Sequence, residues 1–314
     1  MSQTPTITTS EKFDLYTYTG AIMPHGYHAL CEHLKEKSHN RAILAITTPG
    51  GDPHAAFRIA RALQHEYPDN GFVALVPGYC KSAGTLIVTG AKSVFMADMS
   101  ELGPLDIQVR KGDELFARNS GLEIFEAVTF LQNQTLGAFI EQAKVLASRE
   151  GLSTRVAADI AARLTRGIFE PIAAQIDPIK LAEMQRANDI TMAYGSRLAE
   201  VGGNLLPNGV AALIGGYPSH GFVIDRKEAR SIFTSVFEPR GKLLELSEHL
   251  REDDPSKINM HPPRISRTTV ELALQEDYDD DSKCARVGGA GAAPSDRAIH
   301  EDGIPDSGSS EGGS

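Results

Sequence analysis

Tryptophan is missing, and aromatic residues make up only 6% of the 314-residue chain. The core must therefore be built from Ala, Val, Ile and Leu, as is common in α/β proteins. Cysteines are few and scattered, Cys31, Cys80 and Cys284, which excludes a disulfide-stapled secreted domain and fits a reducing compartment. No CxxC pair or Cys/His cluster suggests zinc, and no metal or cofactor is assigned. Apolar runs are short: none reaches the about 18 residues of a membrane span, and the opening MSQTPTITTSEKFDLY lacks the basic and apolar parts of a leader. A soluble, cytoplasmic chain without membrane insertion is expected. Positive charge is also in deficit, with 31 Lys and Arg against 41 Asp and Glu and a net charge of −10. Such a surface repels nucleic acid and anionic lipid, so neither is expected as a partner.

What is present is an alternation of strand and helix signals. After a polar lead over 1–20, RAILAITTPGGD (41–52) is a β-rich apolar run that stops at Pro49-Gly50-Gly51. Ala56, Ile59, Ala60 and Leu63 then recur at helical spacing. The unit repeats at 71–90: GFVALVPGY as strand, CKSAGT as turn, LIVTGA as the start of a helix. SVFMAD (93–98) reads as a third strand, followed by the loop MSELGPLDIQ. Strands alternating with helices imply a mostly parallel sheet covered by helices. The core is expected over 21–111, and a helical lobe over 112–203 with breaks at Gly151, Pro171 and Gly202-Gly203. The remainder of the core and C-terminal helices are expected over 204–274, including a helix from near Asp225. The acidic, Gly/Ser-rich segment 275–314 is too poor in apolar residues to order itself and is expected to be a disordered tail.

Both glycine-bearing turns fall at the C-terminal ends of expected strands, where open parallel sheets place their sites. Without Cβ atoms, Gly50-Gly51 can bring backbone N–H groups against an oxyanion. In Lys81-Ser82-Ala83-Gly84 the serine sits at a strand-to-helix turn, its hydroxyl and the Ala83 N–H facing one space at a helix N-terminus. Taken singly, the first can be a plain tight turn and the second an N-cap. Asp52 reads as an N-cap.

Together, AITTPGGDPHAAFRIARAL, VPGYCKSAGTLIVTGAKSVFMAD, SELGPLDIQ and YPSHGFVIDRKEA resemble the Clp-protease/crotonase superfold. Within it they are most similar to the signal peptide peptidase A and serine dehydrogenase proteinase families. The resemblance implies an α/β core of that type and a homo-oligomeric serine endopeptidase acting on protein or peptide. Ser82 would be its nucleophile, with the N–H groups of Gly51 and Ala83 as oxyanion hole. The lysine base of signal peptide peptidases has no counterpart here, since no lysine lies between Gly112 and Glu141, although Lys111 and Lys144 bracket the gap. Where Clp-type relatives carry a histidine base, this chain has Asp106, 24 residues after Ser82. A carboxylate is a weak sole base for a hydroxyl but can orient an imidazole. His220, in YPSHGF, is the preferred base, Asp106 its orienter, and Lys111 the alternative base; Lys81 should point away from its neighbour's hydroxyl. His220 can equally be a histidine bonding its own turn. The remaining histidines, among them His25, His28, His33, His39, His54 and His65, are assigned no role. Two rival functions stay open: an acyl-CoA-type lyase or hydratase using the two amides on a thioester enolate, and a non-catalytic oligomeric scaffold.

Overall fold

A computed structural model describes residues 10–105, 108–110, 118–252, 258–259 and 262–273. The polar lead expected over 1–20 instead supplies a strand, β1 (Ser10–Thr19). Its side chains alternate between two apolar layers, with Phe13 and Leu15 on one side and Tyr16 and Tyr18 on the other. A strand buried on both faces loses the polar/apolar alternation by which a half-exposed strand is recognised. Helix α1 (Pro24–Leu34) returns the chain to β2 (Ala42–Thr47), whose six residues are all buried. Helix α2 (Pro53–Glu66) follows, with Pro53 in its first turn and the Asp52 side chain accepting from His54 N at 2.8 Å. Next come β3 (Phe72–Val76), the short β4 (Tyr79–Cys80), α3 (Ala83–Val88) and β5 (Ser93–Met96).

The pairs β1–β2, β2–β3 and β3–β5 are parallel, so the chain advances across the sheet in one direction. Successive crossovers of one hand in one direction put their helices on the same face of a sheet, and α1, α2 and α3 pack together in this way. Their Leu30, Ile59, Ala60, Leu63 and Leu86 share one core with Leu44, Ile46 and Ala74. The opposite face is covered by α9 (Gly241–Leu250), whose Leu243 packs with Ile43, Leu75 and Phe95. Parallel β9 (Val236–Phe237) closes one edge beside β5, and antiparallel β10 (Arg264–Ala273) closes the other beside β1. Neither β9 nor β10 was anticipated within 204–274, where the remainder of the core and C-terminal helices were expected. The result is an α/β fold on a mixed, mostly parallel six-stranded sheet.

After the short β6 (Glu101–Leu102), β7 (Gln108–Arg110) pairs antiparallel with β8 (Arg118–Ser120), and the expected boundary at 111/112 lies outside the described residues. Beyond it run α4 (Gly121–Ser148), α5 (Thr154–Ala173) and α6 (Pro178–Gly202). Gly151 separates α4 from α5, and Gly203, left-handed at φ +68°, ends α6. Pro171 does not break α5 but lies in its last turn. The buried Gln64 amide joins α2 to the lobe by donating to Gly90 O and Leu198 O at 2.9 and 3.0 Å. After α7 (Gly209–Gly215) comes α8 (Arg226–Ala229), capped by the Asp225 side chain. Residues 275–314 lie outside the described residues.

Candidate active site

The site is built where β2 ends. Thr48 bridges in parallel to Cys80: Thr48 N donates to Tyr79 O at 2.8 Å, and Lys81 N donates to Thr48 O at 2.9 Å. This pairing brings Pro49-Gly50-Gly51 alongside Ser82-Ala83. The approach is close enough that a Cβ on Gly50 would lie 2.8 Å from Ser82 Cβ and 3.0 Å from Lys81 O. Gly50 also sits at φ +101°, which side chains seldom adopt, so both space and backbone require glycine there.

Ser82 turns the chain from β4 into α3 at φ 51° and ψ −115°, a conformation that costs any residue with a Cβ about 1–3 kcal/mol. It occupies the N-cap position of α3, yet its side chain makes no capping bond. Ser82 as a residue is half-buried rather than sealed in the core.

The backbone pairing leaves the neighbouring amides unused. Ile22 N donates to Gly50 O at 2.8 Å and Asp52 N donates to Ile22 O at 2.9 Å, the pattern that leaves the Gly51 N–H directed away from its bridge partner. On the other turn Gly84 N donates to Lys81 O at 2.8 Å and Leu86 N to Ser82 O at 3.1 Å. The Ala83 N–H is one of the donors that the first turn of any helix leaves without an internal acceptor. Among the described residues neither the Gly51 nor the Ala83 amide donates a backbone hydrogen bond. One hydroxyl and two unengaged amides on adjoining turns can address a single carbonyl group.

Lys81 points elsewhere, as expected. Its stem passes over Gly103, where an added Cβ would lie 2.5 Å from Lys81 Cδ. The buried ammonium donates to Leu102 O at 3.1 Å and Phe222 O at 3.2 Å, and lies 3.4 Å from Glu101 Oε1. Burial pushes it below the usual lysine range, with Glu101 offsetting part of the effect. Burial likewise pushes the Cys80 thiol up, so that cysteine is held as the thiol.

The segment carrying His220 docks through this lysine and through reciprocal Leu102–Ile224 backbone bonds of 2.9 and 3.0 Å. His220 itself is half-buried. Asp106 and Lys111 lie outside the described residues.

Sequence reasoning missed a second polar centre, at the opposite end of β1 and β2. Asp14, fully buried, accepts from Ser38 N, His39 N, Ser38 Oγ and Tyr67 OH at 2.9–3.0 Å and from Arg267 Nη2 at 2.7 Å; His39 Nδ1 is 3.1 Å away. Burial pushes its carboxyl up, but the His39 and Ser38 amides, followed by their side chains, outweigh that and hold it well below the ordinary 3.8. His39 is therefore a structural partner of a buried carboxylate. An acidic residue within the apolar alternation of FDLYTY was the available signal. No group of three His, Cys, Asp or Glu side chains able to hold a metal occurs among the described residues.

Comparison with known proteins adds little to this geometry. No family model matches the chain. An uncharacterized protein of Methanocaldococcus jannaschii is 41% identical over 66 residues, 21% of this chain and 22% of that protein, so the chain spans about a fifth of the relative it matches. Two structures of 1510-N membrane-bound stomatin-specific protease align at 17% identity and a TM-score of 0.30. One is a serine-to-alanine mutant, of which 67% is covered, and the other a lysine-to-alanine mutant in complex with a substrate peptide, of which 64% is covered; each alignment takes in 47% of this chain. Likeness at that level decides nothing about chemistry. No helix among the described residues is long and apolar enough to cross a membrane.

Proposed function

We propose that this chain is a serine peptidase-like hydrolase on a Clp/crotonase-type core, with protein or peptide as substrate and Ser82 as nucleophile. The supporting observation is the convergence of a strained, uncapped serine with the unengaged amides of Gly51 and Ala83. In the proposed reaction Ser82 Oγ attacks the scissile carbonyl carbon while its proton passes to the base. The carbonyl oxygen becomes an oxyanion held by the two amides, and each such donor contributes about 2.7–4 kcal/mol to the transition state. Collapse expels the amine, which takes up that proton, and leaves an acyl ester on Ser82. Water, deprotonated by the same base, then releases the acid and restores the hydroxyl. His220 is proposed as base, Asp106 as its orienter, and Lys111 as the alternative base.

A fluorophosphonate probe tests the nucleophile. The folded chain should be labelled on the peptide containing Ser82 and the Ser82→Ala variant should not. Absence of labelling in folded wild type, or unchanged labelling in the variant, refutes the assignment. His220→Ala should lower peptide turnover by several powers of ten; wild-type turnover would transfer the role to Lys111.

A further inference from the structure

The α4–α5 hairpin buries too little of its own apolar surface. Helix α5 presents Ala157, Ala161 and Thr165 as its buried stripe, with Thr165 Oγ1 3.4 Å from Gln142 Oε1 of α4. Small residues at i, i+4 spacing let the two helices approach closely but seal only the seam between them. Outside the seam Phe130, Leu136 and Ile140 of α4 and Leu164, Ile168 and Ile172 of α5 are each between 41% and 60% exposed. A groove of about 740 Å³ runs between the helices, walled by Leu131, Phe139, Phe169 and Ala173. From Val128 to Ile140 α4 carries no charged residue. Its polar residues there, Thr129, Gln132, Asn133, Gln134 and Thr135, are all uncharged, so the exposed apolar side chains have no charged neighbours on this stretch of α4.

We infer that this hairpin face is the surface through which a second copy of the same chain docks. The six exposed side chains offer on the order of 600 Å² of apolar surface before the groove walls are counted, against the ~800 Å² each partner gives to a standard interface. Charge narrows the choice of occupant. Arg166 and Glu170, at the groove, form a two-pronged pair at 3.0 Å and leave nothing net to attract a charged partner. Between Val128 and Ala173 five basic residues stand against four acidic ones, without the basic excess that holds an interfacial helix on anionic lipid. On a chain of net charge −10 this nearly charge-balanced face is where two copies can meet without opposing an excess of like charges. The Leu164–Ile168–Ile172 ridge, repeating every four residues, provides knobs for a partner's groove. The inference does not rest on the proposed chemistry.

Sedimentation velocity of the full chain at micromolar concentration tests it. Wild type should sediment as a dimer or larger, and Leu164→Glu/Ile168→Glu should reduce the mass at least twofold with unchanged far-UV circular dichroism and unchanged Ser82 labelling. Should that variant unfold, Ile168→Cys decides, since a contact between copies makes its mild oxidation yield a covalent dimer that exposed Glu183→Cys does not. A monomeric wild type, a double variant that stays associated, or no Ile168→Cys dimer above that control overturns the inference. So does binding of a monomeric chain to phosphatidylcholine/phosphatidylglycerol vesicles that the double variant abolishes, which would assign the face to lipid.

Discussion

Replacing Ser82 by glycine should stabilise the protein. At φ 51° and ψ −115° the residue sits where a Cβ is penalised by about 1–3 kcal/mol, and its side chain contributes no capping bond that glycine would forfeit. Glycine removes that penalty but returns about 0.5–1 kcal/mol through the greater freedom of the unfolded chain. The net is a gain of about 0–2.5 kcal/mol, with the midpoint near 1 kcal/mol raising the melting temperature by roughly 2–4 °C for a large domain. Alanine is the control: it deletes the same hydroxyl but keeps the Cβ, so Ser82→Ala should melt near wild type. Calorimetry on the three proteins, with urea midpoints as a second measure, separates backbone strain from side-chain chemistry. Both variants should lose probe labelling, so stability and reactivity move in opposite directions only for glycine. If Ser82→Gly melts no higher than Ser82→Ala, the bend stores no strain and the reasoning fails.

Three further expectations follow from the same contacts. Gly50→Ala should slow Ser82 labelling about 100-fold, the penalty of roughly 1 Å of misplacement, because the added Cβ meets Ser82 Cβ at 2.8 Å; wild-type labelling kinetics would show that the turns do not abut. Lys81→Met should cost about 1–3 kcal/mol in urea unfolding, two carbonyls losing their donor, and should lower amide-exchange protection at Leu102 and Ile224. Unchanged protection there would mean that the ammonium does not hold the 217–224 segment. Asp14, titrating below its ordinary 3.8 in the fold, contributes stability that is complete above that value and fades as pH falls beneath it. Wild type should therefore lose stability steeply below about pH 4, whereas Asp14→Asn, less stable at pH 7, should show a flatter acid limb; parallel limbs would exclude Asp14 as the source.

The sequence by itself determined the two strand–turn–helix units at 42–66 and 72–88, the Asp52 cap and Ser82 as a candidate, because all of these follow from periodicity and turn chemistry within a few residues. It did not disclose β1, whose flanks are both covered, nor β10, whose Arg267 reaches Asp14 across 253 positions. Only the tertiary structure decided that Gly50-Gly51 and Ser82 share one space, since that depends on the Thr48–Cys80 bridge rather than on either turn alone. It alone decided which way the Lys81 side chain runs and which apolar stripes of α4 and α5 stay uncovered. Helical spacing shows that a face is apolar, whereas its burial depends on elements far along the chain that fold against it or leave it bare.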